Sequence, residues 1–115
     1  MKSVKKNIFA AQRDIRAVLE HFVSVNLKLK KTDVTEKLKE GILPAGTVVD
    51  EAGKLAKGET AFGIVMNDID FNESTGTEVA SVLVHGFVDK AKIQEYTGEA
   101  VADENVKALS LIKFL

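Results

Sequence analysis

The stretch that decides the fold runs from Gly41 to Lys92. It opens Gly41-Ile42-Leu43-Pro44-Ala45-Gly46-Thr47-Val48-Val49-Asp50. It continues Thr60-Ala61-Phe62-Gly63-Ile64-Val65-Met66-Asn67-Asp68-Ile69-Asp70 and closes Glu78-Val79-Ala80-Ser81-Val82-Leu83-Val84-His85-Gly86-Phe87-Val88-Asp89-Lys90-Ala91-Lys92. Three apolar runs rich in β-branched residues are separated by Gly, Asp and Lys turns, the pattern of closely spaced strands. Pro44-Ala45-Gly46 reads as a turn, because Pro fixes φ and Gly accepts positive φ. Thr47–Val49 is a short strand, Glu51–Lys54 a tight hairpin turn and Gly58-Glu59 another turn. Ala61–Asn67 is apolar on both faces and belongs at the centre of a sheet. Asp68–Gly76 is the longest polar loop. Glu78–Val88 is the longest strand, and its two largely apolar faces predict cover on both sides.

Working towards the N-terminus, Val23, Val25, Leu27 and Leu29 alternate with Ser24, Asn26, Lys28 and Lys30. That alternation predicts an antiparallel strand with one wet face. Just upstream, Ile15, Val18, Leu19 and Phe22 have helical spacing over two turns. Asp33 with Glu36 three residues later is a helix-start signature and Gly41 a natural stop, giving a short helical turn over 34–39. Towards the C-terminus, Asp89 caps a short helix through Tyr96 that Gly98 closes. Asp103 is a candidate cap for a turn over 104–109. Ser110–Leu115 is apolar and β-prone, a closing strand that must dock on its own sheet or on a neighbour.

With 115 residues the chain forms one domain by size. Residues 1–14 are charged and aperiodic and read as a flexible basic N-terminal arm; residues 15–115 form a single β-rich domain, mainly β with short helices. The chain has no cysteine, which excludes disulfides, thiolate metal sites and cysteine nucleophiles. No stretch approaches the ~20 apolar residues of a membrane span, and the basic start lacks the apolar core of a secretory leader. The expectation is a protein used without export or membrane insertion. Charge is unevenly spread, with a net +5 over residues 1–40 and −6 over 41–115. Such asymmetry suits a basic arm that meets an acidic partner surface.

The motifs of known chemistry fail on inspection. Asp68-Ile69-Asp70-Phe71-Asn72 begins like a calcium loop, but Glu73 and Val79 stand where Gly and Glu are needed. Gly58 and Gly63 have phosphate-loop spacing, but Ile64 and Val65 follow instead of Lys and Ser or Thr; turn chemistry explains Gly58, and close packing could explain Gly63. His21 and His85 are far apart in sequence, and a zinc site would need carboxylates to complete it. His85, mid-strand beside Gly86, reads as a hydrogen-bonded buried or interface imidazole. Lys28, Lys30, Lys31, Lys37 and Lys39 lack the aromatic interleaving of a nucleic-acid surface. The expectation is a non-catalytic protein without metal or cofactor, and with no direct nucleic-acid partner.

Leu43-Pro44-Ala45-Gly46-Thr47, Phe62-Gly63-Ile64-Val65 and Val82-Leu83-Val84-His85-Gly86-Phe87-Val88-Asp89 together resemble the head-fiber and capsid-decoration proteins of tailed bacteriophages. The resemblance covers roughly residues 41–93 and, more loosely, the final strand. It implies a compact small barrel of the β-clip or tulip kind, a homotrimer, and a place on the outer surface of a phage capsid, with the major capsid protein as partner. It further implies synthesis in the bacterial host cytoplasm and a final location on the virion exterior. The arm matches the general position of a capsid-contacting segment, which makes Lys2, Lys5, Lys6, Arg13 and Arg16 the candidate contact residues. The same Pro-Ala-Gly-Thr and Gly-Ile-Val order resembles antifreeze-like sugar-acid-binding domains. The alternative is therefore a ligand-binding β-clip module for an anionic sugar or small metabolite.

Overall fold

The computed structural model describes residues 13–73 and 75–115. Residues 1–12, most of the expected arm, lie outside them. Apolar alternation and turn chemistry produce β1 (Phe22–Lys30), α1 (Lys31–Val34) with a 3-10 turn after it, β2 (Ile42–Leu43), β3 (Val48–Asp50), β4 (Ala61–Val65), β5 (Ile69–Asp70), β6 (Thr77–Val88), α2 (Lys90–Thr97), α3 (Asp103–Ala108) and β7 (Ile112–Phe114). The Cα radius of gyration, 13.4 Å, is that of one compact body of this length.

Strand β6 is the spine. One edge pairs antiparallel with β1 from Phe22↔Gly86 to Lys30↔Thr77. The other edge takes β4 through Ile64↔Leu83 and Val65↔Val82, then β7 in parallel from Gly86↔Ile112 to Val88↔Phe114. Strand β3 extends the sheet beyond β4, and β2 with β5 makes a separate two-stranded ribbon. The main order β1-β6-β4-β3 is open, and nearly all pairings are antiparallel. The apolar C-terminal run docks on its own sheet, with the Leu115 amide donating to the Val88 carbonyl at 2.8 Å.

Each face of the sheet carries a core. Ile64, Leu83 and Val88 pack on one side with Ile15, Ile93, Leu109 and Ile112. Val65, Val82 and Ala80 pack on the other with Leu29, Val34, Leu43 and Phe71. The doubly apolar reading of β4 and of the second half of β6 is thus the observed one. Ile64, Val65 and Val82 are fully buried; Val48 and Val84, of the same apolar runs, are half-buried.

Two glycines set close approaches. A Cβ on Gly63 would lie 2.4 Å from Val82 Cγ1 and 2.7 Å from the Leu83 carbonyl oxygen, so only glycine lets β4 sit this near β6. Gly86 has φ +146°, and a Cβ there would lie 3.1 Å from the His21 carbonyl oxygen. Val84 and Val88 have the same parity along β6 but pack on opposite cores, because Gly86 between them breaks the alternation.

The capping signals of α2 match the structure. The Asp89 carboxylate accepts from the Lys92 amide at 3.2 Å, and Gly98 ends α2 in the left-handed region. Other expectations differ from the structure. Residues 17–21 form bends instead of a helix, because the Ala17 amide donates to Phe87 and the Asp89 amide to Ile15, pinning the segment along β6. The helical turn predicted over 34–39 begins earlier, at Lys31, and Asp103 lies inside α3, which Ala102 precedes as N-cap.

Candidate functional site

The root of the arm is anchored. Arg13 Nε faces Asp68 Oδ2 at 3.3 Å, its guanidinium carbon lies 4.3 Å from the Tyr96 ring centre, and its carbonyl accepts from Asn67 Nδ2 at 2.9 Å. The other Asp68 oxygen accepts from the Ala45 amide at 2.8 Å. Asp68 therefore serves the turn and the arm rather than a calcium loop, and Asp70 closes a local turn onto the Asn72 amide. Arg16 Nε donates to both oxygens of Asp14, at 3.1 and 3.0 Å, and its guanidinium stacks 4.4 Å from the Phe22 ring centre. Burial pushes the Asp14 carboxyl up, but hydrogen bonds from the Arg16 side chain and backbone and the attraction of its charge outweigh this. The carboxyl is held below its ordinary 3.8. The Arg16 guanidinium is shifted up by the hydrogen bond to Asp14. Of the five candidate contact residues, Arg13 and Arg16 thus already have partners within the chain, whereas Lys2, Lys5 and Lys6 lie outside the described residues.

Exposed apolar side chains flank one end of β6. Among the described residues, the large exposed apolar side chains are Val18, Leu19, Val23, Val79, Leu111 and Leu115. All except Val79 adjoin the 85–88 end of β6. Val23 pairs with His85, Leu115 bonds Val88, Leu111 lines a cleft with Phe87, and Arg16, which bridges Val88, donates to the Leu19 carbonyl. Val23 points outward because a bulge between Val23 and Ser24 breaks the alternation that keeps Val25, Leu27 and Leu29 inward.

The two histidines meet at this end. His21 Nε2 and His85 Nε2 are 3.4 Å apart, with ring centres at 5.3 Å, and the His21 ring also lies 5.7 Å from Phe87. His21 is exposed and His85 half-buried. Sequence reasoning placed His85 in its strand but missed the pair, which depends on the β1–β6 register across 64 positions.

The larger cleft, about 560 Å³, opens between the 36–39 turn, the 44–48 segment and the 97–102 loop. Lys37 and Lys39 stand at it, and both are engaged. Lys37 ion-pairs with Glu99, holding that exposed carboxyl below its ordinary range. Lys39 Nζ donates to the Thr97 carbonyl at 2.7 Å, completing the C-terminus of α2, where a cation opposes the helix dipole. Among the described residues no three His, Asp or Glu side chains gather into a cation cage, and no helix is long and apolar enough to cross a membrane.

No protein-family model, curated protein or solved structure matches the chain.

Proposed function

We propose that this chain is a tailed-phage head-decoration protein, or the capsid-binding base of a head fiber, acting as a homotrimer on the outside of the shell. Its open antiparallel sheet is read as a divergent member of the β-clip or tulip class. The observation that carries the proposal is the exposure of Leu19, Val23, Leu111 and Leu115 on segments that flank the 85–88 end of β6, along which residues 15–17 also run. Exposed apolar residues gathered at one end suit burial against a protein. Three-fold closure covers such a patch without leaving open ends, and three linked copies gain avidity from individually modest contacts. Further support comes from the segments of the sequence resemblance, which are neighbours in space. The Gly46 amide donates to Val65, the Val65 amide to Thr47, and Ile64 pairs with Leu83.

Light scattering at micromolar concentration tests the trimer. The expected mass is three times 12.5 kDa, falling to one chain in Leu111→Arg. A wild-type monomer that binds an anionic sugar in the 560 Å³ cleft would favour the ligand-binding alternative instead.

A further inference from the structure

We propose that His21 and His85 form a two-imidazole chelating site for a divalent transition-metal ion of the Zn²⁺, Ni²⁺ or Cu²⁺ class. The two Nε2 atoms face each other at 3.4 Å, beyond the roughly 2.7–3.2 Å of a well-formed N–H···O hydrogen bond. A tetrahedral ion bound at about 2.0–2.1 Å to each of two imidazoles requires a nitrogen separation of roughly 3.3–3.4 Å. The pair therefore already has the bite of a chelate.

The supports are rigid. His85 lies within the twelve-residue strand β6, hydrogen-bonded to β1 and β7. The bare Cα of Gly86 lets the His21 backbone lie across β6, since a side chain there would crowd the His21 carbonyl. Arg16 Nη1 donates to the Leu19 carbonyl at 3.0 Å and steadies the bend that delivers His21, while Phe87 flanks its ring. Access is open, because a shallow cleft of about 250 Å³ runs beside both imidazoles, lined also by Ser110, Leu111 and Lys113.

The donor set defines the ion. Two imidazole nitrogens suit borderline metals and not Mg²⁺ or Ca²⁺, which want oxygen cages. Affinity follows the usual order, with Cu²⁺ above Ni²⁺ and Zn²⁺. No carboxylate completes the set among the described residues, so two coordination positions are left to water or to a ligand from outside. Lys113, a cation that lines the same cleft, favours an anion as that outside ligand. The two donors are 64 positions apart, so a bound ion ties the N-terminal segment to the spine of the sheet. Metal that binds only the folded chain raises its melting temperature by mass action.

The test is calorimetric titration of tag-free protein with NiCl₂, ZnCl₂ and CuCl₂ at neutral pH, with MgCl₂ as comparison, alongside imidazole NMR of the same samples. The expected result is one equivalent per chain, perturbation of both imidazoles together, and at least a ~tenfold loss of affinity in His21→Gln and in His85→Gln alike. His21 is exposed, so His21→Gln carries the test even if His85→Gln melts early. Equal binding by wild type and His21→Gln would overturn the proposal. So would two independent weak equivalents, or a heat with MgCl₂ matching that with NiCl₂.

Discussion

Gly63→Ala isolates the close approach of β4 to β6. Gly63 does not occupy the left-handed region, so alanine is allowed there by backbone conformation alone. In an uncrowded strand the change would stabilise by about 0.5–1 kcal/mol, because glycine loses more conformational freedom on folding. Here the added carbon meets Val82 Cγ1 at 2.4 Å, the Leu83 carbonyl oxygen at 2.7 Å and Val84 Cγ1 at 3.2 Å. Ordinary carbon contacts are about 3.5–4.0 Å. Val82 is fully buried and its β-branched side chain is stiff, while the Leu83 oxygen belongs to the paired backbone, so neither gives way easily. Overpacking of this kind costs about 1–3 kcal/mol, and the backbone contact puts it in the upper half of that range. The net loss is about 1–2.5 kcal/mol, equivalent to a fall in melting temperature of roughly 4–10 °C for a domain of this size. Thermal and urea unfolding followed by circular dichroism measure it. An unchanged or raised melting temperature would refute the claim that strand spacing at Gly63 is set by packing.

Three other perturbations probe separate parts of the molecule. Asp89→Ala removes the side-chain cap of α2 and is expected to lower stability by about 1 kcal/mol in urea titration; no shift in midpoint would mean that the cap contributes nothing. The depressed Asp14 carboxyl gives stability that is present above its unfolded pKa and lost as pH falls through the lower folded value, so Asp14→Asn should flatten the stability–pH curve below about pH 4. A variant curve parallel to wild type there would remove the Asp14–Arg16 pair from the explanation. Deleting residues 1–12 removes Lys2, Lys5 and Lys6 but keeps the anchored Arg13. Melting is expected to stay within about 1–2 °C while affinity for cognate shells drops at least ~tenfold, about 1.4 kcal/mol, and wild-type affinity after truncation would deny the arm a contact role.

What was legible in the sequence was local chemistry. Asp89 and Gly98 bracket α2 because a cap and a left-handed stop act within a few residues. Alternation at Val25, Leu27 and Leu29 identified β1, and the doubly apolar β4 took the interior place that such a run demands. What was not legible depended on register. Ile15, Val18, Leu19 and Phe22 have helical spacing, yet the segment gains more by bonding to Phe87 and Asp89 than by closing its own turns. The bulge at Val23 and the break at Gly86 each redirect side chains that strict alternation would have placed on the other face. The His21–His85 pair depends on the β1–β6 register at this end and leaves no spacing signal in the chain.

The central functional proposal is best tested by sedimenting the purified protein with a panel of assembled tailed-phage shells, followed by imaging of the pelleted particles. The expected result is saturable, salt-sensitive binding to the outer surface, with copies grouped in threes and an apparent affinity that falls in Leu111→Arg. Intact shells that pellet without the protein, or protein bound only as scattered single copies that Leu111→Arg does not weaken, would contradict a decoration role.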